Sequence, residues 1–395
     1  MKRLLIILLF ILLSVFPISA QFAGGSGTSG DPYQIATALQ LDSVRHHLSS
    51  HYILTANIDL SGYSDWKPIG YTYGASNPFN GTLDGNGKTI SNMRITSMLY
   101  DSTLHNVEIG LFTWYNGDIN RLTLYHCSII ISDTGTGVMK YNHISAGLLA
   151  PISSSGGMQD FHIRDCNIDI TLVDGHYYGV NASGITSFNN SFTVEYKKCS
   201  VVGLNISVHR TYVGGSDAIN ICGLFSTAGR PGVSECFVDS TILYCSPGVT
   251  NSYIQGIGSA QEIKNSYTKV KINGGNPIVS CGFSTTVTAD SNCYSVPTML
   301  STPVDGFANY YPNASTSCYF DSTVAGSSQD GEQGGHTPRA YPKSTTQMKT
   351  QATFSGWDFV NIWAIKSYVN DGYPYLINNP PNIPALVSKR LRIRK

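Results

Sequence analysis

The sequence predicts an all-β protein: a right-handed parallel β-helix (solenoid) with an N-terminal cap that contains a short helix and an irregular C-terminal cap. Three observations predict it. A Gly-centred segment recurs along the chain, a β-type run follows each copy, and the composition is rich in Gly and Tyr but low in charge. The 395 residues include 39 Gly and 24 Tyr, and 13% are charged. This profile is typical of an extracellular all-β protein, and right-handed crossovers are the rule for parallel strands.

The repeat is marked by its glycines, which are followed by strand-like runs such as "MQDFHIRDCNIDITL". β-Branched and aromatic residues alternate there between turn residues. Coils of variable length explain the uneven spacing, because strands of successive coils stack about 4.8 Å apart whatever the length of the turns. One coil cannot bury its own apolar face, so several must stack. The glycines are Gly110, Gly147, Gly184, Gly223, Gly256 and Gly282.

Cysteines recur inside the strand-like run of five of the six copies, and Ser266 takes the equivalent place in the fifth copy. We expect them to form one structural ladder of buried free thiols, because small apolar residues suit an interior position of fixed volume. Disulfides are the alternative, since exported proteins often contain them. An odd total of nine cysteines and the repeat-locked placement favour free thiols, and no Cys-x-x-Cys pair indicates zinc. The ladder residues are Cys127, Cys166, Cys199, Cys236 and Cys293.

The chain divides into five predicted regions. Lys2 and Arg3 precede an apolar run, and Ala20 ends it with a small residue, so residues 1–20 are predicted to be a signal peptide and the protein to be extracellular or at the cell surface. Residues 21–60 form the N-terminal cap, 61–326 the β-helix with GLUG-like repeats, 327–380 a C-terminal capping segment and 381–395 a basic tail. No second segment is long and apolar enough to be transmembrane.

Both caps carry local signals. Thr37 and Gln40 have capping-box spacing, and Leu41, Val44 and Leu48 follow at helical spacing, which predicts a short amphipathic helix. After it, Asp84-Gly85-Asn86-Gly87 predicts a tight turn between two strands. Near the other end, a group of mostly aromatic residues is predicted to seal the last coil; they are Trp357, Phe359, Trp363 and Tyr373 to Leu376.

The distribution of charged residues along the chain indicates which classes of binding partner to expect. Lys plus Arg and Asp plus Glu are 25 each, but seven of the basic residues lie in the signal segment and in the tail "KRLRIRK". The body between them is therefore acidic, which argues against a nucleic-acid partner. The tail is either a contact for an anionic surface or a solvated end.

Three blocks of the sequence resemble bacterial secreted and surface β-helix proteins with the GLUG motif, a Gly-Leu-apolar-Gly repeat. They are the N-terminal block "GGSGTSGDPYQIATALQLDSVR", the block "PFNGTLDGNGKTISNM" and the C-terminal block "VNDGYPYL". The resemblance covers the chain to about Leu376. It implies export and surface display, and it implies no catalytic residue. The sequence departs from the motif at its fourth position, where small residues replace Gly: Thr113, Ala150, Ser187, Ser226, Ser259 and Thr285.

The predicted function is that of a secreted or cell-surface binding or adhesion module without catalysis, cofactor or metal, which recognises a glycan or a host or surface protein. Loops that enter successive repeats carry aromatic and imidazole side chains suited to such ligands. The alternatives are a polysaccharide-degrading β-helix enzyme, a lyase or glycosidase, for which no converging acid pair is evident, and a purely structural stalk. The same loops would also be explained if tyrosines simply occupy the turns of the β-helix and bind no ligand. The predicted ligand-binding ridge comprises Tyr100, His105, Tyr141, His143, His176, Tyr177, Tyr178, His209 and Tyr212.

Overall fold

The computed structural model describes residues 21–72, 75–98, 100–101, 106–133, 143–172, 179–189, 194–210, 218–226, 231–246, 252–274, 279–284, 287–300, 305–307, 315–330 and 340–381. The predicted signal peptide and nearly all of the predicted basic tail lie outside these residues. The N-terminal elements are β1 (Tyr33–Ile35), α1 (Ala38–Ser43), a 3₁₀-helix (Val44–His46), β2 (His51–Leu54), β3 (Ile58–Asp59), β4 (Tyr71–Thr72), β5 (Ala75–Ser76), β6 (Thr82–Ser91), β7 (Arg94–Ile95) and β8 (Tyr100–Asp101).

The middle of the chain consists of strands. They are β9 (Asn106–Ile109), β10 (Trp114–Tyr115), β11 (Ile119–Tyr125), β12 (Ser128–Asp133), β13 (His143–Gly147), β14 (Ala150–Ser153), β15 (Met158–Arg164), β16 (Asn167–Leu172), β17 (Gly179–Ser183), β18 (Thr186–Asn189), β19 (Glu195–Lys197), β20 (Ser200–Val202), β21 (Asn205–Arg210), β22 (Ala218–Cys222), β23 (Gly232–Ser234), β24 (Phe237–Cys245), β25 (Ser252–Gln255), β26 (Ala260–Lys264), β27 (Tyr267–Gly274), β28 (Val279–Cys281), β29 (Val287–Ser291), β30 (Tyr294–Ser295) and β31 (Thr298–Met299).

The C-terminal part mixes strands with short helices. It contains β32 (Ser315–Thr316), β33 (Tyr319–Asp321), α2 (Ser322–Ala325), β34 (Tyr341–Lys343), α3 (Thr345–Met348), a 3₁₀-helix (Gln351–Thr353), β35 (Trp363–Ala364), a second 3₁₀-helix (Asn370–Gly372) and β36 (Tyr375–Leu376).

Parallel stacking of successive coils builds a β-solenoid, as predicted. A 22-stranded sheet holds most strands, a seven-stranded sheet runs in the order β28-β25-β22-β17-β13-β9-β8, and β10, β14 and β18 form a third sheet. Strands far apart in sequence pair in parallel; Asn167 of β16, for example, pairs with Asn205 of β21. The alternation of apolar and polar residues along each strand favours this arrangement. In β16, Ile168, Ile170 and Leu172 point inward while their neighbours stay partly exposed.

Two corners of the coil each hold one residue in the left-handed conformation. The φ angle at these positions lies between 46° and 70°, and the next residue points into the core. The first corner comprises Arg121, Asp160, Lys198, Glu235, Asn265, Asn292 and Ser317. The second comprises Asn92, His126, Asp165, Gly203 and Ser240.

The predicted cysteine ladder is in fact two ladders. Because His162 pairs with Ser200, Cys199 lies opposite Phe161 and not opposite Cys166. All nine cysteines are buried and free, but the single ladder is wrong in register. Both corners place an inward residue directly after the left-handed one, so the same residue type looks equivalent at either. The second corner carries Cys127 and Cys166, and the first carries Cys199, Cys236, Cys293 and Cys318, with Ser266 between Cys236 and Cys293.

Each ladder is joined by hydrogen bonds between backbone and side chain. The Cys127 N–H donates to the Cys166 sulfur at 3.3 Å, and the Cys199 N–H donates to the Cys236 sulfur at 3.2 Å. In the next coil the Cys236 N–H donates to the Ser266 hydroxyl at 3.1 Å. The serine therefore replaces a thiol without breaking the stack.

The N-terminal helix forms where it is predicted. The Thr37 hydroxyl accepts the Gln40 N–H at 3.3 Å, while the Gln40 side chain accepts the N–H of Ala36 rather than that of Thr37. Leu41 and Val44 are fully buried, and Leu48 packs partly buried against the same core. The helix α1 thus covers the open end of the first coil.

The Asp84-Gly85-Asn86-Gly87 segment does not make the predicted turn. It lies within β6, which runs parallel to both β2 and β11, and the register shifts opposite Arg121. Asn86 and Gly87 have φ angles of 51° and 70°, so the segment bulges without reversing the chain.

The C-terminal aromatic residues do not seal the last coil. They pack on the outer face of the solenoid, where Phe237, Tyr267, Tyr294 and Tyr319 of successive coils form an outward column. Trp363 is completely buried in a separate apolar cluster with this column. The segment therefore turns back along the outside, a path that leaves the column covered rather than exposed to water.

Candidate functional site

An open groove of about 360 Å³ lies on the outer face of the first coils. It forms because β6, β11 and β15 stack in parallel, so that their outward side chains lie in rows across three coils. Opposite residues on parallel strands are fixed relative to each other, and the rows are therefore preorganised. The groove residues are Thr82, Leu83, Asp84, Asp118, Asn120, Arg121 and Gln159.

A bidentate ion pair forms one side of the groove. The Arg121 Nε donates to Asp84 Oδ1 at 2.9 Å, and its Nη2 donates to Asp84 Oδ2. The hydrogen bonds that Arg121 donates to Asp84 raise the pKa of the guanidinium. Arg121 occupies the left-handed corner position, which directs it toward Asp84 of the preceding coil. Both side chains remain partly exposed, so the pair is available to a ligand.

Amide and carboxylate groups continue the groove across the next coils. The Asn120 Oδ1 accepts the Gln159 N–H at 2.8 Å, and the Asp118 Oδ1 accepts the Gly157 N–H at 2.6 Å. The Gln159 amide donates to Asp160 at 3.3 Å. The groove therefore combines fixed acceptors, amide donors and a guanidinium. Such a set suits the hydroxyl groups of a saccharide.

A second polar cluster lies on the outer face of β15 and β20. His162 Nδ1 and Arg164 Nη2 both contact the Ser200 hydroxyl, at 2.7 and 2.8 Å. Burial, together with the nearby charge of Arg164, lowers the pKa of His162 to about 4. The imidazole is therefore neutral at physiological pH. Ser200 has no solvent exposure, so the cluster stabilises the coil junction and does not offer an accessible nucleophile.

Most of the predicted ridge lies outside the described residues: His105, Tyr141, His176, Tyr177, Tyr178 and Tyr212. Tyr100 begins β8. His143 is exposed at the start of β13 in the seven-stranded sheet, beside Gly179 of the next coil. His209 lies in β21 of the large sheet, with its ring centre 4.9 Å from that of Tyr244. The described members thus lie on strands of different sheets, and the ridge stays a prediction.

The groove was not predicted from the sequence. The sequence predicts a turn at Asp84, and it predicts only strands at Asn120, Arg121 and Gln159. Asn120 and Gln159 lie one coil apart, at a spacing of 39 residues, a signal that a register alignment of the repeats would have shown. Within the described part of the chain, no group of three His, Cys, Asp or Glu side chains is placed to hold a metal ion. No helix there is long and apolar enough to cross a bilayer.

Comparison with known proteins finds partial similarity. No family model matches the chain. Over 115 residues it is 41% identical to a protein of Evansella cellulosilytica named "Putative Gly-rich membrane protein", covering 27% of this chain and 12% of that protein. Over 142 residues it is 32% identical to "Halomucin" of Haloquadratum walsbyi, covering 33% of this chain and 2% of that protein. The chain thus spans a small fraction of these relatives.

Among solved structures, the chain is similar to one from Bacteroides ovatus described as a "putative immunoglobulin A1 protease". The sequence identity is 17% and the TM-score is 0.38, with 90% of this chain and 95% of the other covered.

Proposed function

We propose that the chain is an exported, surface-exposed β-solenoid of the GLUG-like type that binds a glycan without catalysis. The observation that carries the proposal is the groove across β6, β11 and β15, in which an ion pair and two amides are held in register. Parallel stacking holds these groups in fixed positions, so a ligand orders few side chains when it binds. The names of the relatives, a membrane protein and a halomucin, support a location outside the cell.

Substitution of Gln159 in the groove tests whether the groove binds the glycan. We expect wild-type protein to bind defined oligosaccharides on a glycan array, and Gln159→Ala to weaken the response about tenfold or more, because a buried ligand hydroxyl would lose its amide partner. Gln261→Ala is the matched control, since Gln261 is an exposed amide on β26, a strand that does not line the groove. Equal loss in both variants would contradict a role for the groove.

Two further measurements separate the alternatives. Changing Tyr141, Tyr177 and Tyr178 together to Ala tests the predicted ridge, and a loss of binding in this variant but not in Gln159→Ala would assign the ligand to the ridge. Release of products from pectin-like polysaccharides would contradict the non-catalytic proposal. A wild-type protein that binds neither glycans nor surface proteins at any concentration would instead indicate a structural stalk.

A further inference from the structure

A half-buried lysine lies where the C-terminal segment crosses the solenoid. Lys269 projects outward from β27 with only 14% of its side chain exposed. It faces Asp239 because the register of β24 and β27 shifts: Val238 pairs with Thr268 and Thr241 with Val270. The 3₁₀-helix Asn370–Gly372 of the C-terminal segment lies over it.

The lysine contacts one amide and two carboxylates. Its Nζ lies 3.0 Å from Asn370 Oδ1 and 2.8 Å from Asp371 Oδ2. The two oxygens of Asp239 lie 3.4 and 3.5 Å away. Asp239 is buried, with 8% of its side chain exposed, whereas the Asp371 side chain is 78% exposed.

The Asn370 amide is held in place. Its Nδ2 donates to the Tyr294 hydroxyl and to the Pro374 carbonyl, both at 2.7 Å, and the residue is 9% exposed. Burial raises the pKa of Tyr294 well above its ordinary value, so the phenol keeps its proton and donates to Pro374 while it accepts from Asn370. The amide nitrogen therefore points away from the lysine and the carbonyl points toward it.

Aromatic side chains limit the access of water to this contact. The Lys269 Nζ lies 5.9 Å from the centre of the Tyr373 ring, and Tyr294, which holds the Asn370 amide, is completely buried. These rings cover the Asn370 side of the contact, whereas Asp371 faces solvent. An amine becomes a nucleophile once a neighbouring base takes its proton.

We propose that Lys269 and Asn370 form an intramolecular isopeptide bond, with Asp239 as the proton acceptor. The Lys269 nitrogen gives a proton to Asp239 and attacks the side-chain carbonyl carbon of Asn370. A bond forms between Nζ and Cγ, and the bond between Cγ and Nδ2 breaks. The Lys269 nitrogen gives up a second proton once the new bond has formed, and Asp239 passes both protons to the amide nitrogen. The amide nitrogen leaves as ammonium, and Asp239 returns to its carboxylate form. No oxidation or reduction occurs, and no co-reactant is needed.

The bond would fasten the C-terminal segment to the solenoid covalently. The two residues are 101 positions apart in sequence, so the linkage closes a large loop that includes the last coils. Unlike a disulfide, it persists under reducing conditions.

Mass spectrometry of the purified full chain tests the proposal. We expect the intact mass after prolonged incubation at neutral pH to be lower by one ammonia, and a tryptic digest to contain a branched peptide that joins Lys269 to Asn370. Any cut between the two residues would leave both fragments joined on a reducing, denaturing gel. An unchanged mass and no branched peptide would overturn the proposal.

Lys269→Arg separates the isopeptide from the other reaction that loses ammonia. A succinimide at Asn370–Asp371 gives the same mass change but does not need the lysine. The arginine keeps the positive charge between Asp239 and Asp371, so the segment remains docked, but a guanidinium does not form the amide. We expect this variant to keep its full mass; a persisting loss would indicate a succinimide and overturn the proposal.

The proton acceptor is tested by two Asp→Asn variants that differ in burial. We expect Asp239→Asn to slow formation of the branched peptide at least tenfold, whereas Asp371→Asn, at the exposed position, leaves the rate within about twofold. The reverse order would remove Asp239 from the reaction.

Discussion

At the residue scale, close approach between coils explains the glycines of the repeat. None of the six has a positive φ angle. An added Cβ on Gly223 would lie 2.3 Å from the carbonyl oxygen of Gly256, and one on Gly256 would lie 2.2 Å from that of Gly282. The alignment is not perfect along the whole row, because Gly147 pairs with Ser183 and not with Gly184. Glycine is thus required by the distance between coils.

We expect Gly223→Ala to lower the free energy of unfolding by about 1–3 kcal/mol, because the new methyl group would meet the Gly256 carbonyl and the Val238 side chain and force the coils apart. Urea unfolding followed by circular dichroism measures the change. Gly62→Ala is the control, since nothing lies within 4 Å of its Cβ position. If both variants unfold at the same urea concentration, the steric explanation is wrong.

At the scale of elements, the C-terminal segment creates a second apolar cluster outside the coil. The rings of Tyr267 and Tyr294 stack at 5.0 Å with an angle of 3°, and Trp363 covers both at 6.3 and 6.1 Å. Farther along, the Asn379 side chain donates to the carbonyls of Cys199 and Glu235 at 3.3 and 3.0 Å. The segment is therefore bound to several coils and not only to the last one.

Trp363→Ala should weaken the docking of this segment by about 3–5 kcal/mol, since it removes a fully buried indole from the cluster. Limited proteolysis with detection of the cleavage sites measures the effect: we expect cuts within residues 345–381 at protease concentrations that leave wild type intact. Tyr368→Ala, at a side chain with 63% exposure in the same segment, should resist like wild type. Equal resistance of all three proteins would show that Trp363 does not hold the segment.

At the scale of the whole molecule, the solenoid keeps nine thiols away from water. Burial raises the pKa of Cys222 to about 12 and that of Cys245 to about 11. Because the thiolate is the reactive form, these residues behave as small apolar side chains at neutral pH. The stack of coils, and not any single coil, provides this burial.

We expect iodoacetamide at pH 8 to leave the mass of the native protein unchanged, and to add nine labels after unfolding in urea without a reductant. Both masses are read by intact-protein mass spectrometry. Fewer than nine labels in urea alone, restored to nine by a reductant, would reveal disulfides. Rapid labelling of the native protein would show that the coils open readily.

The fold could largely be predicted, the site hardly at all. Alternation of apolar residues and the placement of turn residues are local properties, and they identified the parallel coils and the Thr37-capped helix. The groove depends on which outward residues of different coils become neighbours. Asn120 and Gln159 are ordinary strand residues until stacking brings them together, and so no motif marks them.

Local sequence pattern was enough to predict that the chain winds into stacked parallel coils, which residues point inward, and that its cysteines are core residues. The register, the path of the C-terminal segment and the contact of Lys269 with Asn370 became visible only in the folded structure. The physical reason is that inward or outward direction follows from local periodicity, whereas register depends on the length of every intervening turn. The return of the C-terminal segment depends in turn on an aromatic column that exists only after the coils have stacked.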